Sequence, residues 1–247
     1  MTYCVSILLD SGLVFLSDSR TSAGVDQINV FRKTTVFERP GERVIVMLAA
    51  GNLAITQGAL NLLAEKLASQ EPGTVTLHNC PNMFEAARCV GAALREMHGR
   101  DGAALQAQGV EFNPSFLVGG QITGEPPRLF QVYSAGNFIE ATHDTTYFQL
   151  GESKYGKPII DRVTRRSMPL SEAAKCALIS MDSTIRSNLT VGLPLDLVIV
   201  RRDEYRVASH VDIGPDNRYF QMIRGAWGEA LREAFSALPN PDWVGVR

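Results

Sequence analysis

The order of predicted elements favours an α+β fold in which two antiparallel sheets carry helices on their faces. The 247-residue sequence contains a run of strand patterns, two helical patterns, further strands, helices and a last pair of strands. Segregated runs of this kind favour antiparallel sheets with layered helices over alternating β-α-β units. No internal repeat or linker interrupts the chain, so we expect one domain over 1–247 with a C-terminal helical extension over about 215–247.

Strand patterns dominate the first fifty residues. Apolar, β-rich runs flank two turn sequences, Asp10-Ser11-Gly12 and Pro40-Gly41, and predict two hairpins. The predicted strands of these hairpins are Thr2–Leu9, Leu13–Leu16, Thr34–Phe37 and Arg43–Ala50.

Helical spacing of apolar residues begins after this strand-rich segment. It predicts helices over Leu53–Leu67 and Met83–Met97, with Gly99 ending the second and a loop over Arg100–Gln108. The same two patterns continue to the C-terminus. They predict strands at Ser115–Val118, Leu129–Tyr133, Tyr147–Leu150, Leu195–Arg201 and Tyr205–Val211, and helices at Leu170–Arg186 and Asn217–Leu238.

Composition and charge exclude several classes of function. The formal net charge is −2, so no basic surplus indicates binding to nucleic acid or to an anionic membrane. The four widely spaced cysteines are not a disulfide framework, and the N-terminus lacks the basic region of a signal peptide. No apolar run reaches the ~18 residues of a membrane span. We therefore expect a cytoplasmic protein with reduced thiols.

Motifs for metal or cofactor chemistry are also lacking. The sequence contains no second Cys/His pair at zinc spacing, no G-x-S-x-G elbow and no phosphate-binding loop. We predict neither a metal nor a cofactor.

Thr2 is a candidate nucleophile. A threonine hydroxyl needs a base beside it, and an α-amine at the chain terminus supplies one when the threonine is the first residue. The α-amine titrates near neutral pH. Thr2 becomes terminal once Met1 is trimmed, which its small side chain permits, although a threonine at position 2 is common by itself.

Three further residues could complete a site around Thr2. Asp18 ends the hairpin partner of the Thr2 strand, so both belong at one end of that hairpin. A cation at Lys33, held by Asp18, would favour the ionised hydroxyl. Gly51 stands between a strand and a helix, where its N–H suits an oxyanion. Taken singly, the charged pair is more typical of a surface ion pair, and Gly51 of an ordinary turn between a strand and a helix.

Together these residues resemble a proteasome β-subunit. The combination is a strand-opening Thr2, the segment Ser17-Asp18-Ser19-Arg20-Thr21, Lys33, and Ala50-Gly51 before a long helix. The chain is most similar to the bacterial homologues called Anbu, the ancestral β subunit, and the resemblance covers essentially the whole length. Three stretches carry it best: Leu13–Lys33, Gln149–Arg162 and Asp182–Asp196.

The resemblance implies a four-layer αββα sandwich of the N-terminal-nucleophile (Ntn) hydrolase type and a role for each matching residue. Thr2 would be the nucleophile, tuned by Lys33 and Asp18, with Gly51 as the oxyanion donor. Ser153 would bind the N-terminal amine, and Asp182 would be a later acidic residue near the nucleophile. The implied substrate-binding residues are Thr21, Ala49 and Met47, the last because strand alternation puts it on the face of Ala49.

The implied activity is that of a threonine peptidase that cleaves peptide or amide bonds of a peptide or protein substrate. Removal of Met1 by an aminopeptidase, rather than self-cleavage, would expose the nucleophile. Two other interpretations remain open: a catalytically weak assembly protein, and an amidase on small substrates. The resemblance also implies a homo-oligomeric ring or spiral, with the apolar stripe of the C-terminal helix as a candidate interface. The sequence does not identify an unfoldase partner.

Overall fold

The computed structural model describes residues 2–22, 28–69 and 73–243. Met1, part of the Leu13–Lys33 stretch, and residues 244–247 of the predicted C-terminal extension lie outside the described residues. Within them the chain is α+β, with two five-stranded sheets, one two-stranded sheet and five helices.

The twelve strands are short and pair antiparallel throughout. They are β1 Tyr3–Leu9, β2 Gly12–Asp18, β3 Arg20–Ser22, β4 Ile28–Val30, β5 Thr34–Arg39, β6 Arg43–Ala50, β7 Ser115–Ile122, β8 Arg128–Val132, β9 Phe138–Glu140, β10 Tyr147–Gly151, β11 Leu195–Arg201 and β12 Val207–Ile213. The first sheet has the order β10-β1-β2-β11-β12 and the second the order β5-β6-β7-β8-β9, while β3 and β4 pair with each other. The predicted antiparallel sheets are therefore confirmed.

Five helices join these strands. They are α1 Leu53–Ser69, α2 Met83–Ala107, α3 Ser153–Val163, α4 Leu170–Ser187 and α5 Arg218–Ala237. None of the helices over the described ranges has the length and apolarity that a bilayer crossing requires.

Three buried hydrophobic clusters show how the sheets and helices pack. Successive side chains of a strand point to opposite faces of its sheet. Each sheet therefore contributes residues to one cluster on one face and to another cluster on the other face. One cluster joins the two sheets and includes Leu13, Phe15, Val46, Leu48 and Leu117. A second lies between the first sheet and helices α3, α4 and α5, and includes Tyr3, Val5, Ile160, Met181 and Phe220. The third lies between the second sheet and α1 and α2, and includes Ile45, Met47, Leu62, Val90 and Leu94.

Helix α2 is longer than the sequence predicts. It continues through Gly99 and Gly102 to Ala107, so the loop expected over 100–108 is wrong. Packing explains the extension, since Leu105 contacts the third cluster and the His98 ring meets Phe112 edge to face at 4.8 Å. Such contacts offset the cost of about 1 kcal/mol for each helical glycine.

Helix α3 and strand β9 are not predicted from the sequence. Pro158 stands inside α3, and a proline removes one backbone donor, which argues against a helix on local grounds. Strand β9 has only three residues and pairs with β8. Helix α3 depends on packing against a strand that is distant in sequence, since Ile160 shares a cluster with Tyr3 and Val5, whereas β9 is simply too short to give a strand pattern.

Candidate active site

The backbone of Thr2 is held from two sides at the start of β1. The carbonyl of Thr2 accepts a hydrogen bond from the N–H of Glu152 at 2.8 Å. The next N–H, that of Tyr3, donates to Oδ1 of Asp18 at 3.1 Å. The peptide unit between Thr2 and Tyr3 is therefore fixed by the β10–α3 junction on one side and by the end of β2 on the other.

The side chain of Tyr3 anchors the same strand in the helical layer. Its ring is fully buried, its hydroxyl lies 3.0 Å from Oγ of Ser180, and it accepts a hydrogen bond from Nε2 of Gln149 at 2.6 Å. Burial raises the pKa of the Tyr3 phenol, so this hydroxyl stays neutral at working pH. The residue after the candidate nucleophile therefore serves as an uncharged anchor.

Gly151 makes the close approach to Thr2 possible. Its φ is +76°, and a Cβ added there would lie 1.8 Å from the carbonyl oxygen of Thr2. Any other residue would push the two segments apart.

Lys33 and Asp18 form a buried ion pair, with Nζ donating to Oδ1 at 2.6 Å. Nζ also donates to the carbonyl of Arg20 at 2.7 Å. Burial raises the pKa of the Asp18 carboxyl, and the neighbouring Lys33 ammonium acts in the opposite direction. A cation fixed in this way favours the ionised form of a neighbouring hydroxyl.

A cleft of about 690 Å³ opens over this end of the sheets. Its lining includes five of the nine residues predicted for the site, namely Thr2, Thr21, Lys33, Ala49 and Gly51. Asp18 lies directly behind Lys33 and is fully buried. Oγ1 of Thr21 is buried and has no hydrogen-bond partner among the described residues. The structure thus brings six predicted residues into one constellation.

Gly51 lies where β6 passes into α1. Its φ is +102°, and a Cβ there would lie 2.3 Å from the carbonyl oxygen of Asn113. Within the part of the chain that the structure describes, the N–H of Gly51 donates to no acceptor. Oδ1 of Asn52 accepts from the N–H of Ala54 at 3.0 Å and caps α1. Gly51 therefore offers a free donor next to a helix N-terminus, an arrangement suited to an anion.

Apart from Asp18, three predicted residues lie outside the cleft lining. Met47 is on the face of Ala49, as strand alternation predicts, but it is 1% exposed because α1 and α2 cover it. Asp182 binds Arg224 at 2.6 Å and Arg186 at 2.9 Å, so its carboxylate joins α4 to α5. Neither residue lines the cleft, and the predicted role of each stays a prediction.

Ser153 also lies apart from the cleft. It lines a separate cavity of about 370 Å³ together with Tyr147 and Lys157. Gly151 and Glu152 of this turn do line the cleft, and the sequence analysis misses Glu152. The signal that could have found Glu152 is Gly151, the glycine that ends β10. The residue directly after such a glycine is the first whose N–H can turn back toward Thr2.

Arg32 is a second cleft residue that the sequence analysis misses. Its guanidinium donates to Asp212 at 2.8 Å and lies 3.5 Å from Asp196, which in turn binds His210. The hydrogen bond that Arg32 donates to Asp212 and the charges of both aspartates raise the pKa of Arg32. The cation at this side of the cleft is therefore held by carboxylates of β11 and β12.

The chain is α+β, and a threonine precedes its first strand. This threonine shares a cleft with the lysine of a buried lysine–aspartate pair and with a free glycine N–H. Together these features define a proteasome-like β-subunit. Comparison with solved structures narrows this class. The chain is 52% identical to Anbu (ancestral beta-subunit) from Yersinia bercovieri, with a TM-score of 0.90 over 98% of this chain and 100% of that one. The chain therefore belongs to the Anbu family.

Two further structures agree. A Gly-1 mutant of Anbu from Hyphomicrobium sp. strain MC1 is 52% identical, with a TM-score of 0.91 over 98% of this chain and 100% of that one. The helical assembly of the Anbu complex from Pseudomonas aeruginosa contains a chain that is 46% identical, with a TM-score of 0.92 over 99% of this chain and 100% of that one. No protein-family model and no curated protein matches the chain.

Proposed function

We propose that the protein is a threonine peptidase of the proteasome type, with Thr2 as its nucleophile after Met1 is removed. The observation that carries this proposal is the cleft shared by Thr2, Lys33 and Gly51, with Asp18 bonded to Lys33 behind it. A hydroxyl, a fixed cation and a free N–H donor are the parts that acyl transfer through a terminal threonine requires.

The reaction begins when Oγ of Thr2 attacks the substrate carbonyl and its proton passes to the α-amine of the same residue. The N–H of Gly51 donates to the oxyanion of the tetrahedral intermediate. Collapse breaks the C–N bond, and the leaving amine takes the proton from the α-ammonium. Water then attacks the ester and releases the acid. Lys33 favours the ionised hydroxyl, and Asp18 keeps Lys33 in place.

The substrate lies along the cleft in this proposal. Thr21 supplies backbone groups of β3 and a hydroxyl, while Ala49 and the neighbouring apolar side chains contact the residue before the cleaved bond. The three hydrophobic clusters support the finer architecture, a four-layer αββα sandwich of the Ntn-hydrolase type.

We further infer that the chain self-associates into a ring or spiral. The name of the Pseudomonas aeruginosa relative describes a helical assembly. Helix α5 carries large apolar side chains that remain exposed in the single chain, among them Met222, Leu231 and Phe235. An apolar face of this kind fits burial against another copy.

Intact mass spectrometry with an epoxyketone tests the proposed chemistry. The Met1-free chain should gain the mass of one inhibitor, and Thr2→Ala should gain none. The matched control is the same chain with Met1 retained, because its cleft is identical but its α-amine is blocked. Equal labelling of both chains would overturn the mechanism.

Substrate assays separate the remaining interpretations. Cleavage of fluorogenic peptides that Thr2→Ala abolishes supports the peptidase. Hydrolysis of small amides alone would point to an amidase. Absence of any adduct on the Met1-free chain would point to an assembly protein without appreciable catalysis.

A further inference from the structure

We propose that Glu152 is a positioning residue for the candidate nucleophile: its carboxylate holds the terminal ammonium of Thr2 and sets the pH at which the site becomes reactive. This inference rests on the proposed function, because it needs Thr2 to be the first residue. It concerns a residue that neither the predicted site nor the family comparison includes.

The backbone brings Glu152 next to the terminus. Its N–H donates to the carbonyl of Thr2 at 2.8 Å, and Gly151 lies against the same carbonyl. The α-nitrogen of Thr2 is separated from that carbonyl carbon by a single Cα. Glu152 also lines the same cleft as Thr2.

The environment of the Glu152 carboxylate leaves it available for a cation. The side chain is only 13% exposed, and its ion-pair partner among the described residues is Lys154, at 3.6 Å. Lys154 is 69% exposed, so water and salt screen that pair and its contribution is small. The proposal assigns the terminal ammonium of Thr2, in the same cleft, as the second cation that this carboxylate binds.

The other charges near Thr2 have partners of their own. Asp18 pairs with Lys33, and Arg32 pairs with Asp212 and Asp196. Glu111, at the mouth of the cleft, is exposed. The charged and titratable groups around Thr2, taken over all packed elements, are Tyr3, Cys4, Asp18, Arg32, Lys33, Glu111, Glu152, Lys154, Asp196, His210 and Asp212.

The sign of the effect follows from the charges. A carboxylate beside an ammonium favours the protonated amine and raises its pKa. The amine acts as a base only when it is neutral, so reactivity rises as the pH passes through this pKa. Glu152 should therefore shift that rise toward alkaline pH.

The test measures the rate of epoxyketone adduct formation between pH 5.5 and 9.5, as about eight points, on Met1-free protein. In Glu152→Gln the rise should occur about one pH unit lower than in the unmodified protein. Glu152→Asp keeps the charge, and its rise should return toward the original position. Melting temperatures of all variants establish that each is folded.

Glu111→Gln is the matched control, since it removes a carboxylate from the same cleft without changing the Thr2 junction. Its rise should keep the original midpoint. A Glu152→Gln profile that coincides with the unmodified one, or an equal shift in Glu111→Gln, would overturn the inference. Absence of adduct in the unmodified protein would instead refute the proposed function, so the two failures are distinguishable.

Discussion

Asp18 and Asp182 are both buried carboxylates with cationic partners, but they lie in regions with different consequences. Asp18 is 0% exposed and meets a single ammonium, Lys33, which also lines the cleft. Asp182 is 2% exposed and meets two guanidinium groups, those of Arg186 and Arg224. The first pair ends at an open surface, whereas the second joins two helices.

This difference shows that burial alone does not identify an active-site acid. Both aspartates need compensation for the loss of water. Both carboxylate oxygens of Asp182 accept a hydrogen bond from an arginine, which compensates for the lost water. These two arginines hold α4 against α5. Asp18 leaves its cation in contact with space that a substrate can enter, and only that arrangement can influence a reacting group.

The largest effect should come from Lys33→Met, which removes the cation and keeps the length of the side chain. We expect the adduct rate to fall on the order of 10²–10³-fold, as when an electrostatic contact to a reacting group is lost. Stability should also fall by about 3–5 kcal/mol, because Asp18 would be buried without its cationic partner. Mass spectrometry and urea unfolding measure the two quantities.

Arg224→Met is the matched control for this prediction. Asp182 keeps Arg186 in that variant, so stability falls modestly and the adduct rate stays within about twofold, since no reacting group is touched. If Lys33→Met reacted at the original rate, or Arg224→Met lost as much, the contrast between the two regions would be refuted.

An intermediate effect is expected for Gly51→Ala. The new Cβ would lie 2.3 Å from the carbonyl of Asn113 at a φ of +102°, so the free N–H must move. We expect the adduct rate to fall on the order of 10²-fold, with a stability loss of at least about 1 kcal/mol.

Gly41→Ala separates backbone strain from loss of the donor. Gly41 also has a positive φ, +81°, but nothing lies within 4 Å of an added Cβ, and the turn is remote from the cleft lining. This variant should lose stability with an unchanged adduct rate. Equal losses of rate in both variants would show that Gly51 acts only through the fold.

The smallest effect concerns an exposed pair, Lys66 and Glu96, whose groups lie 3.0 Å apart. The hydrogen bond from Lys66, helped by Arg100, lowers the pKa of Glu96. Its contribution is therefore present above the pH at which the unfolded carboxyl titrates, and it is lost as the pH falls through the lower value of the folded protein.

A double-mutant cycle with Lys66→Met and Glu96→Gln should give a coupling of about 0.2–1 kcal/mol at pH 7. The coupling should decrease in high salt and disappear at a pH well below the usual range of a carboxyl. A coupling as large as that of the buried pair would mean that burial does not govern these interactions.

Part of the candidate site follows from local patterns in the sequence. Thr2 and Asp18 lie at the same end of the β1–β2 hairpin, so its turn already brings them together. Gly51 follows from its place between a strand and a helix. Lys33 and Gly51 flank strands of the second sheet, so their meeting with Thr2 depends on how the two sheets pack, and the sequence indicates it only through the family resemblance.

The remaining placements depend on packing between distant segments. Strand alternation gives the face of Met47 correctly, but it cannot tell that α1 and α2 cover this part of the face. The partner of Asp182 is Arg224, forty-two residues away on α5. The choice of Glu152 over Ser153 depends on how the β10–α3 turn meets the first strand, and the only local signal for it is the glycine at position 151.

The two hydrogen bonds that hold Thr2 both involve main-chain groups of the nucleophile segment, and neither uses the threonine side chain. The backbone position of residue 2 therefore does not depend on which side chain that residue carries. Serine or cysteine introduced at position 2 would be held in the same place. Differences in reaction rate between such variants would therefore report the nucleophilicity of the side chain and not its misplacement.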